Sequence, residues 1–95
     1  MKVIYKYPLG VEGEVTKIED WLVQIFDIQS QDGQPVMWAL VDTDRKEETP
    51  VEIYCAGTGW SIPDGVHYLG TAIAGDGYVW HYFANEQLFT PVEES

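Results

Sequence analysis

The stretch Val36–Val41, with the sequence VMWALV, is apolar at every position. It follows the turn sequence Ser30–Pro35, in which Asp32 and Gly33 are residue types that supply the positive φ angles of a tight hairpin. A short unbroken apolar run next to such a turn is typical of a central strand that is buried on both faces. The stretch therefore predicts a β-sheet with Val36–Val41 near its middle.

Further short segments rich in β-branched and aromatic residues lie on both sides of this stretch, separated by turn residues. The segment Asp20–Gln29 also fits a short helix, but its Val, Ile and Phe content and its lack of alanine favour a strand. The other predicted strands are Val3–Tyr7, Glu14–Ile18, Val51–Cys55, His67–Ala74 and Tyr78–Phe83. Asp42–Thr49 is expected to be a charged loop, and Gly57–Gly65 an irregular one.

About six short strands joined by hairpin-type turns predict an all-β fold, either a small antiparallel sandwich or a partly open barrel. Asn85–Phe89 is the one segment expected to form a short helix. The chain has 95 residues, which is the size of one domain. We therefore expect a single β domain over residues 1–89 and a flexible acidic tail over residues 90–95.

The charge of the chain is strongly negative. Sixteen Asp and Glu stand against five Lys and Arg, for a net charge of -11, and no Lys or Arg occurs from Glu47 to Ser95. Such a chain repels phosphates and anionic membranes, which argues against direct binding to nucleic acid or to a membrane surface. It attracts a basic partner, although an acidic surface also simply keeps a protein soluble.

Few residues can take part in metal binding or nucleophilic catalysis. The strongest candidates are Cys55, His67 and His81. A hairpin centred on Asp76 places His81 opposite Thr71 and separates the two imidazoles by roughly 13 Å, too far to share a metal. Cys55 lies in a strand-like run without a nucleophile motif, which favours a buried, inert thiol. We therefore expect no metal, no cofactor and no enzymatic activity.

Two short motifs resemble ligand-binding loops only superficially. Gly57–Gly59 lacks the Gly-Lys-Ser/Thr ending and the following helix of a phosphate-binding loop. Asp42–Asp44 resembles the start of a calcium loop, but Glu47 stands at the sixth position, where that loop has glycine, and Ile53 at the twelfth. A bend between strands and a charged loop are the simpler interpretations.

The aromatic residues are numerous for a chain of this size, with four Trp, six Tyr and three Phe. A core this small is not expected to enclose all four tryptophans. Some of the rings are therefore expected to line a groove or a contact surface, where Trp and Tyr provide large, rigid area. Packing in the core and against edge strands is the alternative.

Several blocks in fixed order resemble a family of domains of unknown function from tailed phages and prophages. The blocks are KVIYKYPL at 2–9, VMWALVD at 36–42, GTG at 57–59, YLGT at 68–71 and VWHYF at 79–83. The chain departs from the pattern at Cys55, Ala56 and Trp60. The resemblance implies expression in the cytoplasm of a bacterial host cell, and it implies no activity and no functional residue.

These observations lead to a functional hypothesis. The chain is expected to be a non-enzymatic phage accessory protein that binds a host protein with a basic surface, for example a defence nuclease or another nucleic-acid-binding protein. A small-molecule or nucleotide-like ligand-binding module and a minor virion protein are alternatives, and both a monomer and a homodimer fit the sequence. The candidate binding residues are Asp42, Asp44, Glu47, Glu48 and Glu52, with Trp60 as an aromatic anchor.

Overall fold

The computed structural model describes residues 1–85, and the side chains of Glu47 and Glu48 lie outside the description. Within these residues the fold is all-β, as predicted, and contains no helix. The predicted helix Asn85–Phe89, except for its first residue, and the predicted tail lie outside the described residues. The strands are β1 (Lys2–Pro8), β2 (Val15–Gln31), β3 (Gln34–Gly57), β4 (His67–Ile73) and β5 (Val79–Ala84).

Strand β3 is the centre of one antiparallel sheet. Its first half pairs with β1 on one side and with the second half of β2 on the other. Its second half pairs with the first half of β2 and with β5, and β4 completes the sheet beside β5. Every strand pair in this part of the chain is antiparallel, which confirms the predicted pairing type.

The long strands are strongly bent. Twenty-four residues of straight strand would span about 79 Å, whereas the longest dimension of the molecule is 37 Å. The register of β2 against β3 shifts at four places between Ile18 and Asp27, and such bulges bend and twist a strand. The bend brings β4 against β2, with Gly70 beside Ile28. The result is a partly open barrel, one of the two predicted architectures.

The expectation of a loop at Asp42–Thr49 is wrong. β3 runs without interruption from Gln34 to Gly57 and therefore joins the predicted strands Val36–Val41 and Val51–Cys55. The charged residues do not stop the ladder, because exposed positions on a bent strand tolerate charge, as at Lys46 opposite Asp20. In the same way, Glu14–Ile18 and Asp20–Gln29 join to form β2.

The core lies inside the bend of the sheet. In Val36–Val41 only one face is fully buried, because Trp38 and Leu40 on the other face are half-buried. The hairpin residues Asp32 and Gly33 have φ angles of 52° and 81°, as the turn sequence predicts. The buried core consists of Leu9, Ile18, Leu22, Ile25, Ile28, Met37, Ala39, Val41, Val51, Ile53, Cys55, Leu69, Ala72, Trp80, Tyr82 and Ala84.

Candidate functional site

The outer side of the sheet formed by β3, β5 and β4 is aromatic. Successive residues of a strand point to opposite faces, so Trp80, Tyr82 and Ala84 fill the core while His81 and Phe83 face outward. In the strand register, Tyr54 lies opposite Phe83, which in turn lies opposite Tyr68. We call this surface the aromatic face and define it by Tyr54, Tyr68, His81 and Phe83, together with the loop residues Trp60 and Ile62.

A large part of the aromatic face is open to solvent. Tyr68 is 57% exposed, Trp60 51% and Ile62 46%. Tyr68 and Phe83 contact each other edge to face, with 5.6 Å between ring centroids. A soluble domain rarely leaves a continuous apolar surface uncovered unless it binds something there. The sequence predicted that some rings would line a contact surface, and the aromatic face has that character.

Hydrogen bonds hold His81 in one orientation at the centre of this face. Its Nε2 lies 2.9 Å from the Thr58 hydroxyl, and its Nδ1 lies 2.9 Å from the Thr71 hydroxyl. The Thr71 hydroxyl also bonds to the Tyr68 hydroxyl at 2.5 Å. The predicted register of His81 opposite Thr71 is confirmed. The threonine pair around the imidazole was not foreseen, because Thr58 belongs to a loop without a periodic pattern.

Glycines position Trp60. Its backbone N–H donates to the Gly57 carbonyl at 3.1 Å, and its indole packs edge to face on Trp80 with 5.4 Å between centroids. A Cβ on Gly57 would come within 2.9 Å of the indole, and one on Gly13 within 3.2 Å. The absence of side chains at both positions therefore lets the ring lie close to the backbone.

Two depressions open beside Trp60. The larger has a volume of about 360 Å³ and is lined by Trp60, Tyr78, Val79 and Trp80, among other residues. The smaller has about 220 Å³ and lies toward Ile62, His81 and Phe83. Trp60 lines both depressions, as do Gly57 and Thr58, so the ring stands between them.

The acidic candidates Asp42 and Asp44 lie outside the aromatic face and bind local partners. The Met1 ammonium contacts both carboxylates, and Arg45 Nε lies 3.8 Å from Asp42. The hydrogen bond from the Asp44 backbone N–H, helped by the charges of the Met1 ammonium and Arg45, lowers the pKa of Asp42. Both carboxylates are thus partly neutralised within the chain.

Glu52 is the acidic candidate that lies beside the aromatic face. Its carboxylate accepts a hydrogen bond from the Tyr54 hydroxyl at 2.8 Å, which raises the pKa of that phenol. Glu47 and Glu48 lie outside the described side chains. Of the predicted binding residues, the structure therefore brings Glu52 and Trp60 to one half of the sheet and leaves Asp42 and Asp44 in the other half.

Cys55 is buried on the inner side of β3, and burial raises the pKa of its thiol. The neighbouring Tyr82 hydroxyl donates to the Gly10 carbonyl at 2.7 Å.

Within residues 1–85, no group of three or more His, Cys, Asp or Glu side chains is arranged to hold a metal ion. The same part of the chain has no helix that is long and apolar enough to cross a membrane.

The fold and the site define a class of protein: a small all-β, partly open barrel with an exposed aromatic face. The chain belongs to the family described as domain of unknown function (DUF7352), whose model matches residues 1–91 and therefore includes all five strands. No curated protein and no solved structure matches the chain. The resemblance to a family of domains of unknown function is thus confirmed.

Proposed function

We propose that this protein is a phage or prophage accessory protein that performs no catalysis and binds a protein of the bacterial host through the aromatic face. One observation carries the proposal: Trp60 and Ile62 line one depression together with His81 and Phe83, and Tyr68 packs edge to face on Phe83. Partly exposed aromatic residues on a rigid frame are the usual anchors of protein–protein interfaces.

The frame of the aromatic face is already ordered before any partner binds. Tyr54, His81 and Phe83 lie on paired strands, and both ring nitrogens of His81 are engaged by threonine hydroxyls. Binding then orders few additional side chains, so less entropy is lost on association. This rigidity supports docking of a preformed surface.

The charge of the chain supports a basic partner. The net charge is -11. All residues of the aromatic face follow Lys46 in the sequence, and no Lys or Arg occurs after Lys46. A field of this sign speeds encounter with a positively charged surface and disfavours acidic competitors. Nucleic-acid-binding proteins, including defence nucleases, carry such surfaces, and the resemblance of the sequence blocks to a family from tailed phages and prophages supports this biological setting.

A pair of matched variants tests the proposal. Ile62→Glu places a charge on the aromatic face, whereas Ile4→Glu places the same charge on β1, where Ile4 is 61% exposed. The tagged proteins are purified from bacterial cells after cross-linking, and the captured proteins are identified by mass spectrometry. We expect a host protein that is captured by the wild type and by Ile4→Glu and is lost with Ile62→Glu.

Two results would contradict the proposal. One is capture of the same proteins by both folded variants, which would place the interface elsewhere. The other is the absence of any host protein enriched by the wild type over Ile62→Glu.

A small-molecule binding module is the second candidate, favoured by the larger depression beside Trp60. Its volume of about 360 Å³ falls within the range of ligand pockets. Thermal unfolding in the presence of a library of neutral and cationic metabolites tests this function. A compound that stabilises the wild type but not Trp60→Leu would support it.

A further inference from the structure

The larger depression is bounded by three aromatic rings, those of Trp60, Tyr78 and Trp80. The Trp60 and Trp80 rings stand at 74° with 5.4 Å between centroids, and the Tyr78 and Trp80 rings at 39° with 6.2 Å. Gly57 and Gly77 contribute backbone to the same lining. The ring surfaces of Trp60 and Tyr78 therefore remain accessible, with exposed fractions of 51% and 65%.

Acidic residues adjoin two of the glycines beside Trp60 and Tyr78. Asp76 immediately precedes Gly77, and its carboxylate accepts a hydrogen bond from the Tyr78 backbone N–H at 3.0 Å. Glu12 and Glu14 flank Gly13, which the Trp60 ring covers. The basic residues Lys2, Lys6, Lys17, Arg45 and Lys46 lie on β1, β2 and the middle of β3, and none lines the depression.

Elsewhere in the chain an arginine packs on a tryptophan ring in a cation–π contact, whereas no cation of the chain lines the depression. The Arg45 guanidinium lies 5.2 Å from the centroid of the Trp21 ring in the other half of the sheet. The rings of Trp60 and Tyr78 have the same chemistry, and no Lys or Arg of the chain lies among the residues around them. The negative face of an aromatic ring attracts a cation, and carboxylates nearby strengthen the attraction.

We propose that the depression between Trp60 and Tyr78 receives an arginine side chain of the partner protein. A guanidinium is planar and weakly hydrated and stacks on aromatic rings, whereas the lysine ammonium is compact and strongly hydrated. Because the depression is open to water, a group that loses little hydration is favoured. This inference rests on the proposed function and specifies the chemistry by which the partner is recognised.

Small ligands that differ only in charge test the proposal. Nα-acetylarginine amide is titrated into the full-length protein, and the indole N–H signals are followed by NMR. Nα-acetylcitrulline amide has nearly the same shape without the charge, and Nα-acetyllysine amide carries the charge on an ammonium. We expect saturable shifts with the arginine compound and an affinity for each of the other two that is about two- to fivefold weaker.

Variants locate the binding site. Tyr78→Leu and Trp60→Leu each remove one ring from the depression and are expected to weaken binding of the arginine compound about two- to fivefold. Tyr68→Leu is the matched control, since Tyr68 is 57% exposed on the aromatic face but does not line this depression. A dispersed amide spectrum for each variant verifies that the barrel is folded.

Several outcomes would overturn the arginine site. They are equal affinity for the citrulline compound, equal affinity for the lysine compound, and an equal loss of affinity in Tyr68→Leu. The titration needs no host protein, so it can succeed where the cross-linking experiment fails. If a host protein is lost with Ile62→Glu and retained with Tyr78→Leu, the proposed function stands and the arginine site does not.

Discussion

Tyr82 is the largest fully buried side chain, and its hydroxyl donates to the Gly10 carbonyl at 2.7 Å. This hydrogen bond ties β5 to the segment between β1 and β2. Tyr82→Phe keeps the ring and leaves the carbonyl without this donor, which costs about 1–3 kcal/mol of stability. Urea denaturation measures the loss. The control is Tyr54→Phe, which removes the hydrogen bond from a half-buried hydroxyl to Glu52 and should lower stability clearly less. Equal losses of stability would show that the Tyr82 hydrogen bond contributes no more than a half-buried one.

Cys55 provides a pH-dependent test of the core. Burial, the largest contribution, raises the pKa of its thiol above the ordinary 9.0. The folded state therefore holds the proton more tightly than the unfolded chain. The resulting stabilisation is complete below pH 9 and declines as the pH rises through the folded-state pKa.

The matched variant is Cys55→Ala, which retains Tyr82 and Glu14 beside the site. We expect the unfolding free energy of the wild type to fall more than that of the variant between about pH 7 and about pH 10. Urea denaturation at both pH values gives the difference. Parallel pH profiles would show that the thiol is not buried in the folded protein.

At the scale of elements, a contact between two turns links the β2–β3 hairpin to the β4–β5 hairpin. The Gly75 N–H donates to the Gly33 carbonyl at 2.8 Å, and a Cβ on Gly33 would come within 2.9 Å of the Gly75 Cα. Gly33 also has a φ of +81°. Alanine at Gly33 therefore introduces both backbone strain and a clash between two backbones.

Gly77→Ala is the control for this contact, because Gly77 has a φ of +89° and nothing lies within 4 Å of an added Cβ. Each substitution costs about 1–2 kcal/mol from the left-handed conformation. Gly33→Ala should cost about 1–3 kcal/mol more, as overpacking does. Thermal and urea unfolding measure both. Equal losses would mean that the hairpin ends are free to separate.

Local sequence patterns were sufficient to predict the all-β fold, the antiparallel pairing of its strands and some of their turns and registers. The turn at Asp32 and Gly33 and the register of His81 opposite Thr71 depend on neighbours in sequence, and both were predicted correctly. The continuity of β3 through Asp42–Thr49 was missed, because charge density resembles that of a loop. Only pairing with β2, including Asp20 opposite Lys46, shows that the ladder continues.

The candidate site was harder to predict than the fold. The sequence indicated Trp60 as a possible anchor, but its position depends on Gly13 and Trp80, both distant in sequence. Asp42 and Asp44 are among the predicted binding residues, and their contact with the Met1 ammonium was not foreseen. Contacts between segments that are distant in sequence decide which acidic and aromatic residues share one surface. The spacing of residues along the chain does not predict these contacts.

At the scale of the whole molecule, the net charge of -11 acts on stability and on binding in opposite directions. Charges interact over about 30 Å at 0.01 M salt and about 8 Å at 0.15 M. The molecule is 37 Å long, so at low salt most of its carboxylates repel one another. Added salt screens this repulsion and is expected to raise the melting temperature.

The same screening should weaken recognition of an arginine by the depression between Trp60 and Tyr78. Between about 0.01 M and about 0.15 M sodium chloride, we expect the melting temperature to rise while the affinity for Nα-acetylarginine amide falls. The citrulline compound is the control, because its binding involves no net charge and should change little. If the affinity for the arginine compound does not fall with salt, attraction by the surrounding carboxylates contributes nothing, and only direct contact with the Trp60 and Tyr78 rings is left to recognise the cation.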